Sequence, residues 1–586
     1  TDVAHQPAQS EPSEEWPEFP GPLMHAQMDK DVLFRFIRWK AQRCLQQIHE
    51  SDQVEEYFFW QIMELFCFRN RRLMMCEVAC LLLQCYMLLR KKTSKHKGAK
   101  RGKEWCIPLA QLLCMSAPDD ELREAVVKMG DDLASRGLTY AAHICYVVVK
   151  MDLGSNTQFE LIGCDSSRMP FGLIVLSEAI MRTETYEYVL SLTSGLAQPS
   201  FQMLKLCQAS RLAYFDLAEG NSCGVAQKYC ETITRAAMAF PDKITDSFIE
   251  RLILVSFNLL EEKAEEPKWL LDLQELHKIK LLNANANGEP DQQTVSTSHE
   301  VVSESQEPVQ DFDQKWHTDP EALFNARYTV QEPLGTGGFG SVYAGVREKD
   351  GKQVAIKFVN KKKLSNTITI PGEMQVLPLE VALMKMVSKA PRCNNVVELL
   401  EWFDLGIKYI MILEWPSACM DVWEFATLHD HCLSEGQAKD IMLQVVWAAR
   451  HCCERGVVHF DIKAENLLIN TDSMEVKLID FGAGELLKDT PYQTFSGTKG
   501  YEPPEWLINE EYKGIPATIW GLGILMYYLV CGYYPFESKE DFFTGHLELH
   551  PDMSRECFDL MMWCLDLNPE MRPGFNVLLR HEWFTE

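Results

Sequence analysis

His459-Phe460-Asp461-Ile462-Lys463-Ala464-Glu465-Asn466, followed by Leu467-Leu468-Ile469 and then by Asp480-Phe481-Gly482, decides how the C-terminal half of this chain reads. A carboxylate, a lysine two residues on, an asparagine five residues on and a later second carboxylate meet the needs of in-line phosphoryl transfer. In that chemistry Asp461 orients and deprotonates an attacking hydroxyl and Lys463 neutralises the moving phosphoryl group, while Asn466 and Asp480 hold Mg²⁺. Each residue alone could be structural. The ordered set is what carries the reading.

Upstream, Tyr328 to Glu332 and Ser341 to Val346 read as strands joined by Gly335-Thr336-Gly337-Gly338-Phe339-Gly340, just after Leu334. Missing side chains in such a loop let backbone amides approach phosphate oxygens. By itself the pattern serves a tight hairpin equally well. Seventeen residues after Gly340, Val354-Ala355-Ile356-Lys357 places a lysine on a third strand facing the same phosphates, and Glu380 is its candidate helix partner. Met411-Ile412-Leu413-Glu414-Trp415-Pro416 reads as an apolar strand ending where adenine would lie, with Leu413 guarding the back of the pocket. Pro416 has no N–H to offer, which removes one hinge hydrogen bond, a net loss of about 0.5 to 1.5 kcal/mol. Pro503-Pro504-Glu505 closes the segment after Gly482, and Arg572 is spaced to pair with Glu505. Thr498 stands where a threonine braces the aspartate in enzymes acting on Ser or Thr.

Over residues 324–586 these motifs resemble the Pim family of Ser/Thr kinases, including Ser341-Val342-Tyr343, the hinge proline, Lys477-Leu478-Ile479-Asp480-Phe481-Gly482 and Pro503-Pro504-Glu505-Trp506. The resemblance implies a two-lobed α+β kinase domain, with an N-lobe at 324–413 and a C-lobe at 417–586. It also implies ATP and Mg²⁺, activity independent of activation-loop phosphate, and protein substrates with basic residues upstream of the target. Leu334, Gly335, Thr336, Gly337, Gly338, Phe339, Gly340, Val342, Ala355, Lys357, Glu380 and Glu414 form the expected ATP-binding set. Asp421, Glu424 and Glu465 match the acidic peptide-binding positions, while Ala464 lacks one acid. Two residues depart from the kinase pattern: Phe460 replaces the arginine of H-R-D, and Thr518 replaces the aspartate two before Trp520.

A chain of 586 residues exceeds one hydrophobic core and calls for at least two domains. Its 57 basic and 84 acidic side chains leave a formal charge of −27, which repels nucleic acid phosphates and suits basic peptides. The 20 cysteines include no C-x-x-C pair, and TDVAHQPAQSEPSEEW carries neither the basic nor the apolar part of a signal peptide, so a reducing, cytoplasmic setting is expected. The apolar run Met74 to Leu89 contains Glu77 and Gln84 and is shorter than the roughly 20 residues that span a bilayer. His429-Asp430-His431-Cys432 is the nearest approach to a metal cluster and reads better as loop.

The N-terminal half reads as an all-α, solenoid-like domain over 26–278, interrupted by a basic loop at 91–103, after a disordered 1–25. Ser116 and Asp119 fit a capping box, with Leu122, Val126, Met129 and Leu133 on one face before Gly137. Helices are also expected over Ile174 to Leu192, Pro199 to Glu219 and Val225 to Ala239. An acidic linker follows at 279–323, whose stretch from Asn283 to Pro320 holds eight acids against Lys315. Met129 to Leu138, Ala141 to Tyr146, Glu178 to Tyr188 and Tyr229-Cys230-Glu231 resemble the central helical domain of the Sec-sixteen family, COPII coat organisers of endoplasmic-reticulum exit sites. That resemblance implies coat subunits as partners and a peripheral location at exit sites. A large middle stretch of the family domain is absent, with 91–103 in its place. The competing reading is a trafficking adaptor whose kinase domain binds nucleotide with little chemistry; a join of two coding regions is the third.

Overall fold

The computed structural model describes residues 18–47, 53–68, 75–93, 105–156, 159–165, 167–171, 173–218, 224–260, 265–287, 319–336, 340–361, 367–370, 375–416, 418–536, 541 and 545–585. The basic stretch 94–104, most of the acidic linker (288–318) and the glycine-loop tip Gly337-Gly338-Phe339 lie outside the described residues. The chain divides into two compact units. One comprises Thr1–Ile244, Leu252–Leu273 and Glu540–Leu549, the other Thr245–Arg251, Gln274–Lys539 and His550–Glu586.

The first unit is built almost wholly from helices. They include Lys30–Gln46, Gln53–Phe68, Met75–Thr93, Cys106–Leu113, Asp119–Ser135, Thr139–Val148, Leu173–Ser194, Gln202–Ala218 and Gly224–Ala239. The helix Asp119–Ser135 buries Leu122, Val126 and Leu133 as expected, but Gly130 takes the place of Met129 on the buried face. A Cβ on Gly130 would lie 2.5 Å from the Tyr146 ring, so only glycine lets the two helices meet there. Gly137, at φ +71°, ends the helix as the Leu138 amide returns to the Leu133 carbonyl, a Schellman closure. The capping box is corrected: Pro118 is the cap residue and no side chain caps this end.

Residues 18–25 differ from the disorder expected of 1–25. Leu23 is buried, and its amide donates to Glu184 Oε1 at 2.7 Å. Its partner belongs to the stretch Arg182–Glu187, whose polar groups face inward. The Ile162 amide donates to Thr183, Arg182 donates to the Ile162 carbonyl, Tyr229 donates to Glu184, and Glu187 pairs with Lys205. Buried ionic groups stay charged only with such partners. Two helices went unread in the sequence, Asp246–Asn258 and Lys268–Asn287, the latter running into the stretch read as linker.

The C-terminal region opens with the helix Pro320–Arg327, which precedes a five-stranded antiparallel sheet. Its spatial order is Tyr328–Thr336, Ser341–Arg347, Lys352–Asn360, Lys408–Glu414, Leu399–Asp404. Phe324, Tyr328, Ile356, Phe403 and Ile410 pack on one face of this sheet, and Val359, Val381, Tyr409 and Met411 on the other. Strands covered on both faces read as near-continuous apolar runs, at 409–413 and at 354–359 where Lys357 alone interrupts it. A helical lobe follows. Its long helix Glu435–Glu454 starts at a capping box between Ser434 and Gln437. Gly514–Cys531 is apolar all round because it is core on every side. This helix, at mean hydropathy 1.6, is long and apolar enough to cross a membrane by length and composition; nearly all its side chains are buried in the protein.

Near the C-terminus His581 is 2 % exposed and accepts from the Trp583 amide, and burial pulls its pKa down to about 4, against the opposing Glu582 carboxylate. The unfolded chain, with an ordinary histidine near 6.5, then binds more protons than the folded one between those values. Stability from this residue is present above pH 6.5 and falls toward pH 4, by roughly 3 kcal/mol in all. Urea unfolding at pH 7.5 and pH 5 should show the loss, and His581→Gln should flatten it.

Candidate active site

Three elements bring the expected phosphate-side residues together. Lys357, on the third strand, is 4 % exposed, and its Nζ lies 2.5 Å from Glu380 Oε1 and 2.6 Å from Asp480 Oδ1. Burial works to lower the Lys357 ammonium, but the two carboxylates outweigh it and hold its pKa above the usual lysine value. Asp480, which burial alone would raise, is held below the usual carboxylate range by Lys357 and the Gly482 amide. Lys357 and Asp480 are thus poised as ions, whereas burial, with Asp480 close by, raises the Glu380 carboxyl above its usual value against the pull of Lys357.

A cavity of about 140 Å³ opens beside them, lined by Val342, Ala355, Lys357, Glu380, Glu414, Asn466 and Asp480 of the expected set. Met384, Val397, Met411, Leu413, Leu468 and Ile479 supply much of its apolar wall. Of these, only Leu413 was read as pocket wall in the sequence; Met384, Met411, Leu468 and Ile479 stood in recognised motifs without that role and Val397 in none, since single aliphatic positions from separate elements carry no local signal. Leu334 and Gly335 sit on the first strand, and Leu334 is exposed rather than part of that lining. Gly340 admits no side chain: a Cβ there would lie 2.3 Å from the Phe358 carbonyl oxygen. The Glu414 carboxylate turns away, accepting from the Glu398 amide and approaching Lys477, and the Glu414 amide donates to the Glu398 carbonyl at 3.0 Å, so neither is left to serve as hinge donor or acceptor.

The catalytic-loop residues meet around Asp461. Its Oδ1 accepts from the Thr498 amide at 2.8 Å and from the Thr498 hydroxyl at 2.5 Å, and its Oδ2 accepts from Asn466 Nδ2 at 2.8 Å. Lys463 Nζ donates to the Thr498 hydroxyl at 2.6 Å and stands 3.4 Å from Asp461. His459 is buried; Asp461 donates its amide to Nδ1, and Nε2–H faces the Ile479 carbonyl at 2.9 Å. Burial keeps that imidazole neutral by lowering its pKa. The Phe481 ring closes on it edge-on at 4.8 Å, fixing the segment that carries Asp480. Phe460 and Asp480 both adopt left-handed backbone, at φ +61° and +62°. Such residues cost about 1 to 3 kcal/mol each and persist where the surroundings over-determine them.

Because Asn466 spends its amide nitrogen on Asp461, its oxygen remains for other use, and Asn466 and Asp480 line one cavity. An amide oxygen beside a carboxylate is a donor set that fits Mg²⁺, a hard cation usually held by one or two protein oxygens with phosphates and water. Among the described residues no group of three His, Cys, Asp or Glu side chains is arranged for a metal, and His429 instead contacts the Phe425 carbonyl.

A protein kinase domain model matches residues 328–584. Serine/threonine-protein kinase pim-2 of Danio rerio is 38% identical over 268 residues, which are 45% of this chain and 86% of that protein. The chain belongs to the serine/threonine-protein kinases. Serine/threonine-protein kinase prk-2 of Caenorhabditis elegans is 34% identical over 268 residues and 59% of its length, and the PAS domain-containing serine/threonine-protein kinase of Mus musculus 32% over 270 residues and 19%. Each of these matches takes in about 45% of the present chain. A second model, the Sec16 Sec23-binding domain, matches residues 72–282. This kinase therefore carries a COPII-related helical region on the same chain.

The acidic positions of the kinase lie at one surface. Asp421 pairs in register with Leu468, and the helix it caps, Val422–Thr427, packs on the turn Ala464–Asn466 that bears Glu465. Glu424 and Glu465 are exposed, while one Asp421 oxygen is engaged by the Glu424 amide at 2.6 Å.

Proposed function

We propose that this kinase transfers the γ-phosphoryl group of ATP to Ser or Thr hydroxyls of proteins, without needing activation-loop phosphate. The observation that carries the reading is Asp461 held by Thr498 and Asn466 beside a cavity in which Lys357 already bridges Glu380 and Asp480. Asp461 orients the incoming hydroxyl and takes its proton, Lys463 faces the charge that develops, and Lys357 grips the phosphates. Bound Mg²⁺, held by Asn466 and Asp480, would neutralise phosphate charge.

Glu465, Glu424 and Asp421 would select substrates with arginine or lysine upstream of the target. A charge-assisted contact of about 1.4 kcal/mol is worth about tenfold. Glu465→Lys should therefore raise KM for an arginine-rich serine peptide about tenfold while kcat for an uncharged serine peptide stays put; an equal change in both peptides would remove the acidic surface from the account.

The helical region is proposed to bind COPII coat subunits and to bring the kinase to endoplasmic-reticulum exit sites. Its support is the match over 72–282 to a model whose description names Sec23. Co-sedimentation of the full chain with purified coat subunits tests this, and the absence of any complex would end it.

A further inference from the structure

Phe460 occupies the arginine position of the general H-R-D catalytic-loop motif, and its surroundings are aromatic. Its ring meets Tyr492 at 4.8 Å and Tyr512 at 5.4 Å, both edge-on, and those two tyrosines stack at 5.6 Å. Phe495 and Trp506 continue the cluster, each 5.8 Å from Tyr512. Tyr492 and Phe495 belong to the segment between Gly482 and Pro503, while Tyr512 and Trp506 lie beyond it.

Backbone contacts tie this cluster to both sides. The Tyr492 and Tyr512 amides and carbonyls pair reciprocally at 2.8 and 3.1 Å, and the Tyr512 hydroxyl donates to the Thr494 carbonyl at 3.0 Å. Next along the segment, Gly497 presses on the catalytic loop so closely that a Cβ would lie 2.4 Å from the Phe460 carbonyl oxygen. The residue after Gly497 is Thr498, which holds Asp461. The ring of Phe460 and the carboxylate of Asp461 are thereby placed by one continuous segment. Beneath the ring lies a cavity of about 20 Å³ bordered by Phe495, Ala517 and Thr518, with no carboxylate among its lining residues. The Thr518 hydroxyl donates to the Gly514 carbonyl of its own helix at 2.9 Å.

We propose that Phe460 is a positioning residue: packing of its half-buried ring against Tyr492 and Tyr512 holds the activation segment, and with it Thr498, against Asp461. Apolar packing here replaces a phosphate–cation pair, so the active arrangement is set by the amino-acid sequence rather than by a modification. The inference rests on the phosphotransfer reading above. It adds a role for a catalytic-loop residue that the reaction itself does not use.

The test compares phosphatase-treated full chain with Phe460→Leu, Phe460→Ala and Phe460→Arg, measuring kcat, KM for ATP and the thermal shift on adding Mg-ATP. A misplaced aspartate costs rate, not nucleotide binding. The expected result is a graded fall in kcat, about tenfold for Leu and about 100-fold for Ala and Arg, with KM for ATP moving less than about threefold. Should Phe460→Ala give no thermal shift, Phe460→Leu decides, since it fills most of the site. An active parent enzyme with unchanged kcat in the Leu variant, a kcat in Phe460→Arg at or above the parent's, or loss of parent activity on phosphatase treatment would overturn the proposal. A parent with no activity at all would instead strike the phosphotransfer reading.

Discussion

Asp461→Asn is expected to lower kcat for peptide phosphorylation by about 10² to 10⁴, the usual contribution of a positioned general base. The substitution keeps the shape of the side chain. It can still accept from Thr498 through its remaining oxygen, so the loop should stay in place. What is lost is the second acceptor, which now meets the Asn466 amide donor-to-donor, and the basicity that receives the hydroxyl proton. KM for ATP should move less than about threefold, because Asp461 is not among the residues lining the nucleotide cavity. Steady-state kinetics at saturating ATP check both numbers, and a large rise in KM with unchanged kcat would mean that Asp461 serves binding alone.

Arg572→Ala should give the largest stability loss in the kinase region. Its guanidinium makes two bonds to Glu505, at 2.8 and 2.6 Å, and further bonds to the carbonyls of Asp566 and Pro516, each at 2.9 Å. The guanidinium also lies 5.0 Å from the centre of the Trp520 ring. With Arg572 5 % and Glu505 4 % exposed, truncating the arginine leaves a carboxylate and two carbonyls buried without their donor. Breaking such a pair costs about 3 to 5 kcal/mol, and in a domain of this size the melting temperature should fall by roughly 10 °C. Arg572→Lys should recover only part of this, since an ammonium cannot form the planar two-point contact. A melting temperature within about 2 °C of the parent would show that water reaches Glu505 and the burial argument fails.

The catalytic loop, Lys357 with Glu380, Asp480 and the Arg572–Glu505 pair were all legible in the sequence. Their chemistry confines each to a short string with fixed internal spacing, and the structure brings each set together. The cluster around Phe460 was not legible. Its members at 460, 492, 495, 506 and 512 follow no helical or strand period, and nothing local joins them. Sequence reading singled out Phe460 only as a departure, and its partners give that departure a physical use.

In the helical region the periodic faces were readable, but ends and polar interiors were not. Ser116 and Asp119 match a capping box in composition, yet Pro118, with its fixed φ and lack of an N–H, stands between them as the cap. Leu23 lies in a stretch whose composition argues for disorder, and contacts distant in sequence hold it in place: the Leu23 amide on Glu184, Phe19 against Phe36 and His25 against Glu231. Lys268–Asn287 runs past the boundary drawn at 278, because its last turn of Asn and Ala residues looks like linker while still completing helical hydrogen bonds.

The most direct test is transfer of radiolabel from γ-labelled ATP, with Mg²⁺, to a serine peptide carrying upstream arginines, catalysed by the phosphatase-treated full chain. Label should accumulate on serine at a rate at least about 100-fold above that of Asp461→Asn. Equal incorporation by the two proteins, with the thermal shift on ATP intact in both, would contradict the account and leave a nucleotide-binding domain without chemistry.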